Sequence, residues 1–266
     1  MTPDTSGPGE GEKEGLAEGS LVSHLVELRN RLLKAAAAVL IIFICLVPFS
    51  ETIFTLIATP LMDKLPEGAT MIATQVASPF LTPFKMTLFV ALFLAMPVVL
   101  TQVWHFVAPG LYLKEKRFAF PLLLSSIVLF YAGVSFAYFV VFPLMFAFFA
   151  AVAPEGVTMM TDISSYLDFI LALFFAFGLA FEVPIATVML VWSGLVPLQT
   201  LARARAYVFL GAFVMGMVLT PPDIISQTLL AVPVYLLYEI GLLMARLFGP
   251  EANKSADTDE TDDAAE

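Results

Sequence analysis

Residues 169–192 read FILALFFAFGLAFEVPIATVMLVW, an apolar run whose only charged residue is Glu182, followed two positions later by Pro184. At about 1.5 Å rise per residue such a helix is long enough to cross the ~30 Å hydrocarbon core of a bilayer. Glu182 then lies roughly 20 Å along the axis, where an acidic residue costs about 2.5 to 3.5 kcal/mol to insert. A carboxylate in that position is neutral, faces a wet cavity, or meets a polar partner. Pro184 has no N–H and so frees the carbonyl of Ala180, one turn from the acid. A protonated Glu182 capping that free backbone is the plain structural alternative to a functional role.

The rest of the chain belongs in the same environment. Its 266 residues are 59% hydrophobic and 14% charged, with a mean hydropathy of +0.90. That composition describes an all-α polytopic membrane protein and excludes an ordinary soluble domain. The net charge of −10 is confined to the ends, because residues 1–20 carry five acids against Lys13 and residues 250–266 carry seven against Lys254. The other residues balance at eleven of each sign. The acidity therefore belongs to two tails, 1–20 and 250–266, that are expected to be disordered around a membrane domain at 21–249. It points to no nucleic acid and to no basic partner. The one cysteine, Cys45, falls inside the first apolar run and allows no internal disulfide. The first twenty residues have neither a basic start nor an apolar core, so no cleaved signal peptide is expected.

Six apolar runs are expected to span the membrane: Leu32 to Phe49, Met86 to Val107, Phe120 to Phe142, Phe169 to Trp192, Ala206 to Leu219 and Ile224 to Leu243. Arg29, Arg31, Lys34, Lys114, Lys116, Arg117, Arg203, Arg205 and Arg246 flank one side, against Lys64 and Lys85 on the other. The positive-inside rule then places both termini in the cytoplasm. Trp104 and Trp192 close spans on that same side, as an interfacial aromatic belt requires. The fifth run offers only about 21 Å of helix before Thr220-Pro221-Pro222. The sixth is interrupted by Pro233 and Glu239, so both are expected to be short. Short spans thin the bilayer or pack as a hairpin inside the bundle.

The outer connections are long. Between Glu51 and Lys85 the apolar spacing of Ile53, Phe54, Leu56, Ile57 and Leu61 predicts a short interfacial helix and a structured cap. The second loop, Pro143 to Leu167, turns at Pro154-Glu155-Gly156 and ends in Ser165-x-x-Asp168, a capping box for the fourth span.

On the inner face, Leu21, Val22, Leu25, Leu28 and Leu32 recur at helical spacing, an interfacial helix running into the first span. Glu27 and Arg31 stand at i,i+4, so a local surface ion pair is the simple reading of Glu27. Glu115 sits in Lys114-Glu115-Lys116-Arg117, where a solvated loop acid would be ordinary. A carboxylate can equally take a guest guanidinium through two parallel bonds that a lysine cannot reproduce.

Several stretches in order resemble one family. They are His24-Leu25-x-Glu27-Leu28-Arg29, Val76-Ala77-Ser78-Pro79-Phe80, Gln102-Val103-Trp104-x-Phe106-x-Ala108-Pro109-x-Leu111-Tyr112, Phe136-x-Tyr138-Phe139, Phe177-Gly178-x-x-Phe181-Glu182-x-Pro184 and Leu219-Thr220-Pro221-Pro222-Asp223. Together they resemble TatC, the multispanning subunit of the twin-arginine protein translocase, over about residues 20 to 249.

The resemblance implies a glove-like six-helix bundle in the bacterial inner membrane. It would bind twin-arginine signal peptides of folded cargo proteins. With single-span A- and B-type subunits it would transport that cargo on the proton-motive force, self-associating in a receptor complex and surrounded by membrane lipid. Glu27 and Glu115 are then the carboxylates that receive the two arginines, with Arg29, Phe106, Leu111 and Tyr112 in the same site. Glu182 is the intramembrane acid on the concave side, and Pro60, Tyr138, Asp223 and Gln227 are outer-face or partner contacts. The run Lys114-Glu115-Lys116 departs from some relatives in its local charge.

Two other classes compete. A proton-coupled secondary transporter of a small solute would use a buried acid and proline-broken spans, yet no inverted repeat is evident. An intramembrane hydrolase needs a nucleophile and a base. The two histidines, His24 and His105, lie near the inner surface, and Ser125 and Ser126 have no evident base on a neighbouring span. Neither a metal cluster, a cofactor motif nor a phosphate-binding Gly-Lys loop is found, so no enzymatic activity and no cofactor are expected.

Overall fold

The computed structural model describes residues 10–62, 70–107, 119–152, 160–219 and 224–248. Helix α1 (Glu10–Leu46) passes through a 3-10 turn (Val47–Phe49) into α2 (Ser50–Met62). After strand β1 (Thr70–Ile72) come α3 (Ser78–Val107) and α4 (Ala119–Phe136), which a π turn (Ala137–Val141) joins to α5 (Phe142–Val152). Strand β2 (Met160–Asp162) leads into α6 (Ile163–Ala180), α7 (Val183–Trp192), α8 (Leu198–Arg203), α9 (Arg205–Leu219) and α10 (Ile224–Phe248). Five stretches are long and apolar enough to cross a membrane, 22–57, 78–106, 120–149, 163–192 and 224–247, and α9 is a shorter apolar helix.

The apolar run 169–192 is also the centre of the bundle. The most apolar 18-residue window of the stretch 163–192 is 56% buried, against 33% or less for the corresponding window of every other crossing stretch. It packs on α4 along α6 and on α10 along α7, whereas α1 leans mainly on α3. Leu32, Leu40, Ile41 and Ile44 of α1 are accordingly exposed, as lipid-facing residues are. The core around α6 is aromatic: Phe146 and Phe142 meet Tyr166 edge-on at 5.3 and 6.3 Å between ring centres.

Glycine sets the closest approach. A Cβ on Gly178 would stand 2.6 Å from Phe130 Cε2, and one on Gly133 would stand 2.9 Å from Phe181 Cγ. Only hydrogen at these positions lets α4 and α6 meet at this distance. Gly194, at φ 69°, ends α7 in the left-handed conformation that favours glycine.

Five expectations change. The sixth span is not short: α10 runs 25 residues through Pro233 and Glu239, about 37 Å at helical rise. A proline inside a span costs one backbone bond, which neighbouring groups compensate, and Glu239 is matched by Arg205 as described below. The capping box is replaced by Asp162, which caps α6 through the backbone N–H and hydroxyl of Ser165 at 3.4 and 3.1 Å. Asp168 instead forms an ion pair with Lys85 of α3 at 2.6 Å. The second span begins at Ser78 because Pro79 sits in the first turn, where a missing N–H is harmless. The third continues through the π turn to Val152, shortening the second outer loop. Helical backbone in α1 also begins at Glu10, well before the Leu21 start that the apolar spacing predicts.

The expected outer helix is α2, and the two outer loops are tied together. Strands β1 and β2 pair in parallel, Thr70 with Met160 through Ile72 with Asp162. The Thr74 N–H donates to Asp162 Oδ1 at 3.1 Å, which holds the Asp162 carboxyl below the usual carboxylate range.

Candidate functional site

Two places gather polar chemistry expected from the sequence. The first is the inner end of α1. Arg31 donates from Nε and from one terminal nitrogen to Glu27 at 3.0 and 2.5 Å, and both bonds end on Oε1. Oε2 of the half-buried carboxylate is left without a partner among the described residues. One turn back, the His24 ring stacks on Phe106 of α3, centroids 4.4 Å apart and planes 23° from parallel. That stack ties α1 at His24 to the end of α3 and so joins Phe106 to the Glu27 region. Arg29 is exposed and donates to Asn30 Oδ1 at 3.4 Å. Leu111, Tyr112 and Glu115 lie outside the described residues.

The second place is the middle of the bundle. Helix α6 ends at Ala180 and α7 begins at Val183, with Glu182 at the joint in a helical conformation (φ −77°, ψ −17°). The Phe181 and Glu182 amides bond back to Phe177 and Leu179 at 3.0 Å each, and Ala186 N–H reaches Glu182 O at 2.9 Å. The span therefore continues through Pro184 without unravelling. Among the three options for Glu182, the structure supplies a polar partner. The hydroxyl of Ser126, fully buried on α4, donates to Glu182 Oε2. Oε1 is enclosed and meets no hydrogen-bond partner among the described residues.

The geometry of that contact follows from helical spacing. Ser126, Phe130 and Gly133 recur at i, i+4 and i+7 on one face of α4, opposite Gly178 and Glu182 at i and i+4. The glycine that admits the Phe130 ring is thus the residue that lets Ser126 reach the acid one turn on. Ser126 corrects the expectation that neither Ser125 nor Ser126 meets a base. Its one signal in the sequence was a hydroxyl at mid-depth in the third span. No His, Cys, Asp and Glu cluster suited to a metal occurs among the described residues.

The second intramembrane acid is also matched. Arg205 donates from Nε and a terminal nitrogen to the two oxygens of Glu239 at 2.7 and 3.0 Å, and Tyr235 Oη donates to Oε1 at 2.8 Å. The sequence holds a signal for this pair. Arg205 lies fourteen residues before the end of α9 and Glu239 fifteen after the start of α10, equal depths in an antiparallel hairpin.

The expected outer and partner positions are scattered. Tyr138 sits in the π turn against Phe174 and Phe139, with ring centres 6.1 and 4.8 Å away. Gln227 backs onto Gly216 of α9, where an added Cβ would meet its Cα at 3.4 Å. Pro60 lies in α2, its side chain outside what is described, as is Asp223.

Comparison with known proteins agrees with this arrangement. Residues 23–233 match the family described as Sec-independent protein translocase protein (TatC). The protein of that name from Azotobacter chroococcum mcd 1 is 63% identical over 222 residues, 84% of this chain and 87% of that one. The one from Escherichia coli (strain K12) is 55% identical over 228 residues, 86% and 88% of the two chains. Among solved structures, one titled Crystal Structure of Twin Arginine Translocase Receptor- TatC superposes with a TM-score of 0.75 at 38% identity, covering 84% of this chain and 98% of that one. A six-run bundle with its acid at Glu182, matched along about 85% of its length by such relatives, belongs to the Sec-independent protein translocase protein (TatC) family.

Proposed function

We propose that this chain is the signal-peptide receptor of a twin-arginine translocase, a transport subunit and not an enzyme. Its site comprises Glu27, Arg29, Phe106, Leu111, Tyr112 and Glu115 on the cytoplasmic face. The observation that carries the reading is the one-sided Glu27–Arg31 pair: both bonds end on Oε1, so the carboxylate is oriented and still able to accept on Oε2. An incoming guanidinium can add to that oxygen, or displace Arg31, with the fork geometry that lysine lacks. The His24–Phe106 stack supports the wall of the same site.

Further parts of the reading follow. Both termini are cytoplasmic, with the described inner-face cations Arg29, Arg31, Lys34, Arg203, Arg205 and Arg246 on that side. The functional unit is 21–249, flanked by two acidic tails. Glu182, with Oε1 free of a partner, offers the inserted signal segment, or a polar residue of an A- or B-type subunit, a polar contact in the membrane. Pro60, Tyr138, Asp223 and Gln227 contribute outer-side or partner contacts, and copies of the chain associate in the receptor complex. Energy comes from the proton-motive force. The secondary-transporter reading finds no support, since the two intramembrane acids are hydrogen-bonded to Ser126 and to Arg205 and the relatives reported above are translocase proteins.

The test is photocrosslinking from positions 27 and 115 to a signal peptide bearing the arginine pair and to its lysine-pair control. The arginine peptide is expected to crosslink, and Glu27→Ala with Glu115→Ala to abolish its binding. Equal crosslinking of the two peptides, or unchanged binding by the double variant, would overturn the assignment.

A further inference from the structure

A polar-rimmed opening lies away from the signal-peptide site. Helices α8, α9 and α10 enclose an open cleft of about 670 Å³ whose lining includes Leu236, Ile240, Leu243, Arg205, Glu239 and Arg246. Leu236, Ile240 and Leu243 recur at i, i+4 and i+7, one apolar stripe along α10. It ends at Arg246, ten residues and roughly 15 Å along the axis from Leu236. That distance is the depth of one leaflet of a ~30 Å hydrocarbon core.

The charges at the rim are unequal. Arg205 and Glu239 neutralise each other through two bonds, with the Tyr235 hydroxyl on the same carboxylate. Arg246 is exposed and forms no ion pair with any described residue, so the rim keeps one positive charge above an apolar floor. A single acyl chain under an anionic headgroup matches both the cleft's depth and its charge.

We infer that this cleft binds an anionic phospholipid, its phosphate on Arg246 and one acyl chain along Leu236, Ile240 and Leu243. The leaflet involved rests on the orientation proposed above; the binding itself does not. The site explains how the short α9 stays paired to α10 where the hairpin meets the interface: lipid fills the gap that side chains leave open.

The test uses the purified full chain in detergent, titrated with phosphatidylglycerol or phosphatidylcholine of identical acyl chains, retained lipid being counted by native mass spectrometry. Wild-type protein should prefer phosphatidylglycerol, and Arg246→Gln should lower that retention about five-fold, the change expected for one basic residue near an anionic headgroup. Arg203→Gln, outside the cleft, should leave it unchanged. Leu243→Trp, which fills the stripe without altering charge, should lower retention of both lipids. Equal retention by wild type and Arg246→Gln overturns the proposal. In native membranes, a photoreactive residue at position 240 should label lipid; labelling of a polypeptide, whether another chain or this chain's own 249–266 segment, overturns it. Peptide crosslinking at positions 27 and 115 is read separately, so a failed receptor assignment and a failed lipid site give different results.

Discussion

Replacing Ser126 by Ala removes the only hydroxyl that reaches Glu182 among the described residues, while changing the volume of a fully buried position by a single oxygen. The cavity contribution is therefore small, and the loss is that of a carboxyl group left with two unsatisfied oxygens in an apolar bundle. Leaving a buried acceptor unpaired costs about 1–3 kcal/mol. Glu182→Leu removes the acceptor and leaves the small Ser126 hydroxyl, which can turn back to its own helix carbonyls, so its cost should be lower. The double variant removes both partners and should cost at least ~1 kcal/mol less than the sum, because residues in direct contact couple by about 0.5–3 kcal/mol. Unfolding in mixed micelles, followed by the fluorescence of the buried Trp104 and Trp192, measures the cycle. Additivity within about 0.5 kcal/mol would refute the claim that this contact holds the fourth span to the third.

Three further outcomes follow from the same geometry. Gly178→Ala should destabilise the bundle by about 1–3 kcal/mol through overpacking against Phe130, and Phe130→Leu in that background should recover part of it in the same unfolding assay. Arg205→Ala leaves Glu239 uncompensated within a span, so membrane-inserted protein should fall, whereas Arg205→Ala with Glu239→Gln should restore it on a quantitative immunoblot. The Asp162 carboxyl is held below its ordinary range by the Thr74 amide. Its contribution to the outer cap is complete above the unfolded carboxylate pKa of about 3.9 and is lost as pH falls through the lower folded value. The protection of the Thr74 amide against hydrogen exchange, relative to its intrinsic rate at each pH, should therefore be high at pH 7 and fall in acid, and Asp162→Asn should lower it throughout; an unchanged profile in that variant would discount the tie.

Much of the candidate site was readable as positions and not as contacts. Glu182 announced itself because a charge inside 24 apolar residues has no cheap solution, and Glu27 with Arg31 because i,i+4 spacing alone brings them together. Ser126, by contrast, is 56 residues from Glu182 and became its partner through the Gly178 crossing. The capping box failed because Ser165-x-x-Asp168 competes with two longer-range options: Asp162 is one residue before the helix and Lys85 stands opposite Asp168.

Local order and bilayer thickness determined the number of apolar runs, their approximate lengths, the shortness of the fifth, and the family, since all depend on residues close in sequence. The sixth span's full length, the matching of Glu239 by Arg205, the strand pair joining the outer loops and the cleft ending at Arg246 were decided by tertiary structure. Each needs two segments at the same depth, and depth is set by how helices cross. A glycine that admits a neighbour, or an arginine that meets an acid across a hairpin, acts only once that crossing exists.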